Sequence, residues 1–83
     1  MATTRFETTT DYQLLADSEE FTAQNTGNPD IYVKKADPQP TDDIGASWIK
    51  SGEVISSNLP AFSSGKIWVK TKKAQFGELS LTK

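Results

Sequence analysis

Neither cysteine nor histidine occurs in this chain of 83 residues. Without cysteine there is no disulfide and no thiolate metal site to reinforce a small core. Without histidine the commonest general base and the commonest zinc ligand are both missing. Long apolar runs are missing too, since none approaches the roughly 18 residues that a membrane-spanning helix needs. The opening Met1-Ala-Thr-Thr-Arg-Phe lacks the apolar stretch of a secretory signal. The expectation is therefore a soluble protein with no secretion address in its own sequence and no membrane partner. The lack of cysteine is compatible with a reducing cytoplasm.

What remains is enough for one domain, close to the size at which a single core is only just sufficient. A domain of that kind gains stability by assembling with copies of itself or with a larger partner. The net charge of −2 is unevenly spread. Before Pro60 stand ten acidic and four basic residues, whereas Lys66, Lys70, Lys72, Lys73 and Lys83 follow it against Glu78 alone. Such a split serves head-to-tail contacts or a polyanionic partner, or, in the plainer reading, is a cluster of solvated lysines.

The stretch Ser64–Lys73 carries the clearest pattern. Lys66, Trp68 and Lys70 fall on one face of an extended chain and Ile67, Val69 and Thr71 on the other, with Gly65 as the turn that opens it. Residues 1–11 are threonine-rich and read as a flexible N-terminal arm anchored by Phe6, with a short edge strand through Arg5–Thr9 as the alternative. Residues 12–83 read as a single domain. Residues 12–16 fit a strand better than a helix capped by Asp11, because every later segment is a strand. Phe21–Asn25 and Ile31–Lys35, joined by Thr26-Gly-Asn-Pro-Asp, predict a β-hairpin with Ile31 and Val33 inward and Tyr32 and Lys34 outward. Pro38 and Pro40 make residues 36–43 a loop. Ser51-Gly-Glu predicts a turn joining a strand around Trp48 to Val54–Leu59, and Lys72–Gln75 a last turn before Phe76–Thr82.

Six to eight short strands with turn signals about every ten residues predict an all-β fold, a small antiparallel sandwich or barrel. The expected core is Phe21, Ala23, Ile31, Val33, Ile49, Val54, Leu59, Ile67, Val69, Leu79 and Leu81. Trp48, Phe62 and Phe76 are expected at its ends.

No chemistry is legible. The serine pairs Ser56-Ser57 and Ser63-Ser64 lack a Gly-x-Ser-x-Gly frame, and Gly65-Lys66 lacks the upstream glycine of a phosphate loop. Asp37, Asp42 and Asp43 are oxygen ligands of the type calcium takes, but their spacing is not that of an EF-hand and proline-flanked aspartates commonly form turns. No catalytic residue, metal ligand or cofactor is therefore assigned. Lysines interleaved with Trp68 are the pattern of single-strand nucleic-acid binders, set against an acidic chain in which one strand alone carries it. The remaining candidates are an interaction surface of Arg5, Phe6, Tyr32, Lys66, Trp68 and Lys70, and a sugar-stacking platform of Tyr32, Trp48 or Trp68.

Across residues 21–82 the order of features resembles a group of short virion proteins of tailed bacteriophages. These features are Ile31-Tyr-Val, the loop Asp37-Pro-Gln-Pro-Thr-Asp-Asp, Gly52-Glu53-Val54, Gly65-Lys66-Ile67-Trp68-Val69-Lys70 and the closing Leu79-Ser-Leu. The resemblance implies a non-enzymatic β-domain made in the host cytoplasm and mounted on the virion, as capsid decoration or cement or at a tail or fibre base. Its partners would be the major capsid or tail protein and further copies of itself, a trimer being one closed form. The other readings are a binding module for single-stranded nucleic acid, for a host protein or for carbohydrate.

Overall fold

The computed structural model describes residues 3–71 and 76–83. Its strands are β1 (Thr3–Thr8), β2 (Gln13–Asp17), β3 (Thr22–Asn25), β4 (Ile31–Lys35), β5 (Ser47–Ile49), β6 (Val54–Ser56), β7 (Lys66–Lys70) and β8 (Gly77–Thr82). One 3-10 turn, Pro60–Phe62, precedes β7, with proline at the helix start, where its missing N–H costs nothing. Among the described residues no helix is long and apolar enough to cross a membrane.

The strands form two antiparallel sheets of four, in the orders β1-β8-β3-β6 and β2-β7-β4-β5. The pairs β1/β8, β2/β7, β3/β6 and β4/β5 are those of one long ribbon in which the first half of the chain runs against the second. Winding that ribbon brings β8 against β3 and β7 against β4 and so closes the two sheets. This is the strand order of an eight-stranded jelly roll. The alternation in the sequence supplies the inner faces. Ile67 and Val69 of β7, Ile31 and Val33 of β4, Ala23 of β3 and Leu79 and Leu81 of β8 join Leu15, Ala16, Phe21, Ile49 and Ile55 in one buried cluster.

Close passage of the strands at one end depends on Gly77. A Cβ there would lie 2.6 Å from both Thr71 Cγ2 and Thr8 Oγ1, and the Gly77 N–H donates to that threonine hydroxyl at 3.1 Å. Gly65 has φ +88°, a conformation that L side chains rarely adopt, and it exchanges hydrogen bonds with Ser18 that tie the entry of β7 to the exit of β2.

Several expectations are corrected. From Thr3 the expected arm is a six-residue strand paired along β8, because Phe6 packs against the core and Thr8 is buried. Phe21–Asn25 and Ile31–Lys35 are not a hairpin. Residues 26–30 carry the chain from one sheet to the other, and β3 pairs with β8 and β6 instead. The Ser51-Gly-Glu turn likewise changes sheets, so β6 does not pair with β5. Val54 lies on the outer face opposite Gln24 while Ile55 turns inward opposite Ala23. Two adjacent β-branched residues leave the phase of a short strand undetermined, and one residue of slip exchanges its faces. Leu59 is exposed at the start of the 3-10 turn, and Phe62 packs against the core in its place. Trp48 and Phe76 are exposed rather than at the ends of the core. The expected turn at 72–75, with Lys72 and Lys73, lies outside the described residues.

Candidate functional site

Outward-facing residues of the β2-β7-β4-β5 sheet line up in rows. Tyr32 of β4 stands opposite Lys70 of β7 on one side and Trp48 of β5 on the other, and Lys34 stands opposite Trp68. Tyr12, one residue before β2, extends the first row, since its neighbour Gln13 pairs with Val69. The row Tyr12–Lys70–Tyr32–Trp48 thus crosses the whole sheet. The Lys70 ammonium lies 5.3 Å from the Tyr12 ring centroid and 5.6 Å from that of Tyr32, within cation–π range of both. The Tyr32 and Trp48 rings stack with centroids 5.8 Å apart.

The proline-rich loop between β4 and β5 folds back over this face. Its aspartates each meet one lysine of this face: Asp37 with Lys66 (3.7 Å), Asp42 with Lys34 (3.0 Å) and Asp43 with Lys70 (2.8 Å). Asp43 Oδ1 also accepts the Tyr12 hydroxyl at 2.9 Å, Trp68 Nε1 donates to the Ala36 carbonyl at 2.8 Å, and Gln39 Nε2 donates to the Tyr12 carbonyl. The Asp37–Pro38 peptide bond is cis. Between the Trp48 ring and the Lys70 ammonium, Tyr32 is only 8% exposed although it points away from the core.

Electrostatics follow the contacts. The hydrogen bond from Lys70, with a smaller contribution from the Tyr12 hydroxyl, holds the Asp43 carboxyl below the usual carboxylate range. Lys34 and the Ile44 N–H do the same for Asp42. Burial first, and the Asp43 hydrogen bond second, push the Tyr12 phenol well above its ordinary value. Both kinds of shift move the groups away from neutral titration, opposite to the tuning that general acid–base work at pH 7 requires. A cleft of about 450 Å³ opens where the loop meets the start of β2, lined by Thr10, Asp11, Tyr12, Gln39, Pro40, Thr41 and Lys70. The hydroxyl of Tyr12 and the ammonium of Lys70 that border it are both already bound to Asp43.

Of the residues expected to form an interaction surface, Tyr32, Lys66, Trp68 and Lys70 share this face, and the last three contact the loop. Arg5 and Phe6 are brought elsewhere, to β1 at the edge of the other sheet, where they point to opposite faces. Among the described residues no group of three or more carboxylates could hold a metal ion, and Asp37, Asp42 and Asp43, weighed above as calcium ligands, each face a separate lysine. Of the three rings considered for stacking sugars, Trp48 keeps an open face at 59% exposure, whereas Tyr32 is covered and Trp68 is half-buried. The sequence reading missed Tyr12, Lys34 and Gln39 as members of the site. The signal that could have found two of the three lysine–aspartate pairs was the charge split itself, an acidic loop followed by a basic strand, whereas Lys34 lies on the acidic side of that split.

No family model, no curated protein and no solved structure matches this chain.

Proposed function

We propose that this protein is a non-enzymatic structural subunit that works through protein–protein contacts, in the setting its resemblance implies: the capsid or tail of a tailed bacteriophage. The observation that carries this reading is the closure of the acidic loop over the basic, aromatic sheet face. A polyanion site needs unpaired cations and open rings, and here Lys34, Lys66 and Lys70 each have a carboxylate within the same chain. The other sheet offers a broad polar face built from Thr3, Arg5, Glu7, Glu78, Ser80 and Thr82, with Thr22 and Gln24 beside them. The jelly-roll order adds support, since viral capsid domains share it, although lectins and cupins use the same architecture and fold alone does not fix function.

The experiment is sedimentation of purified, tagged protein with particles of a phage that encodes the sequence, alongside mass spectrometry of those particles. The expected result is a component present in many copies that pellets with capsids or tails. Absence of the chain from purified particles, with no pelleting of the added protein, would contradict the reading.

A further inference from the structure

We infer that β1 is a self-complementary edge, and that two copies of this chain pair antiparallel through it about a two-fold axis at Phe6, joining two four-stranded sheets into one of eight. This stands or falls independently of the virion reading, because it concerns the isolated protein.

The four sheet edges differ in how they are protected. β5 and β6 have three residues each, too few to template a partner. β2 carries a register break between Leu14 and Ala16, a bulge that disrupts its ladder. β1 is neither short nor bulged, and the charges it carries, Arg5 and Glu7, are of opposite sign. It runs six residues in unbroken register, Thr3 to Thr8, with no proline and no lysine.

Its backbone polarity can be read from its neighbour. The Thr26 N–H reaches the Glu78 carbonyl at 3.0 Å on the β3 side, while the Gly77 N–H reaches Thr8 Oγ1 on the β1 side. Backbone groups alternate along a strand, so Gly77, Leu79 and Leu81 face β1 and bond to Thr8, Phe6 and Thr4 across from them. The N–H and C=O groups of Thr3, Arg5 and Glu7 are therefore the ones aimed at the open edge. A two-fold antiparallel pair must match this set with itself, which leaves few registers.

Charge chooses among them. Setting Arg5 opposite Arg5 of the second copy, or Glu7 opposite Glu7, places like charges face to face, which is destabilising. The intermediate register sets Arg5 opposite Glu7 of the second copy, twice by symmetry, and brings Phe6 opposite Phe6 at the axis. Arg5 and Glu7 then form the hydrogen-bonded pairs, and the two phenylalanines occupy the non-hydrogen-bonded position where side chains approach most closely. Phe6 is half-buried against the core within one copy, so a second ring would cover the side that one domain leaves open. Within one copy Glu7 stands directly opposite Glu78, with Arg5 contacting both at 3.3 and 2.8 Å. A second arginine facing Glu7 relieves that crowding of negative charge.

The test is solution mass by sedimentation equilibrium across concentrations, for wild type, Arg5→Glu, Glu7→Arg and a mixture of the two variants. Circular dichroism checks that each is folded. Wild type should be a reversible dimer, and each variant alone should weaken dimerisation at least about tenfold, since like charges then face each other across the axis. The mixture should recover it. In a mixed pair the edge made wholly acidic by Arg5→Glu meets the edge made wholly basic by Glu7→Arg, so opposite charges face each other at both positions. Should either charge variant fail to fold, Arg5→Pro removes an N–H that faces the open edge and no bond to β8, and should give a folded monomer. A wild type that stays monomeric up to about 1 mM, a dimer indifferent to Arg5→Glu and Arg5→Pro, or variants that dissociate but do not re-pair in the mixture, would overturn the inference.

Discussion

Asn25 is a polar side chain held inside the sandwich, 1% exposed. Its Nδ2 donates to the carbonyls of Pro29 and Ile49, both at 2.9 Å, and its Oδ1 accepts the Gly27 N–H at 3.0 Å. Its backbone N–H and C=O meet Glu53 and Gly52. One side chain thus secures the crossing between sheets and ties β3 to β5, which belong to different sheets. Asn25→Leu keeps a similar volume but leaves the Pro29 and Ile49 carbonyls without their donor, and buried unpaired acceptors cost about 1–3 kcal/mol each. The expected loss is about 3 kcal/mol, read from the urea midpoint, whereas a change below about 0.5 kcal/mol would show that these bonds contribute little. Strand alternation from Phe21 and Ala23 puts Asn25 on the inward side as well, and the structure has it there. Its role was not legible, because its acceptors lie across residues 29–49 and only the folded chain brings them together.

At the scale of the element, the loop between β4 and β5 is where acid should act first. Asp42 and Asp43 have lower proton affinity in the folded state than in the unfolded one, through Lys34 and Lys70 respectively. A depressed folded value means that their contribution to stability is fully present above the ordinary carboxylate pKa of about 4 and is lost as pH falls through the folded value. Tyr12 has the opposite sign. Its raised phenol adds stability below about pH 10, which is lost as pH rises further. Tryptophan fluorescence should therefore change between about pH 4 and pH 2 as the cover over Trp68 loosens, and Asp43→Asn should flatten that acid limb. An emission spectrum and a stability that stay constant from pH 7 to about pH 2 would contradict the ion-paired loop. This arrangement was half legible. Alternation assigned Lys66, Trp68 and Lys70 to one face and Ile67 and Val69 to the other, and the structure agrees. The prolines marked a loop, but a loop-forming sequence does not say which surface the loop lies upon.

For the whole molecule, local pattern fixed which residues point inward on β3, β7 and β8, and hence the all-β class. It did not give the pairings. In this fold the β1 ladder joins Thr3 to Thr82, and β3 and β4, adjacent in sequence, belong to different sheets. Turn signals such as Thr26-Gly-Asn-Pro-Asp mark where the chain bends, while the choice of the next sheet is set by how the full ribbon winds. The charge split resolves at the same scale. Among the described residues Lys66 pairs with Asp37, Lys70 with Asp43 and Lys83 with Glu19, so the basic end of the chain is matched by its own acidic beginning. The most direct measurement of that self-matching is the affinity for a single-stranded oligonucleotide across a salt series, for wild type and for Asp37→Asn/Asp42→Asn/Asp43→Asn. Wild type should show no salt-dependent binding, and the triple variant should gain it as its three lysines are released. A wild type that already binds with a steep salt dependence, unchanged by the triple substitution, would contradict the claim that the acidic loop neutralises this face.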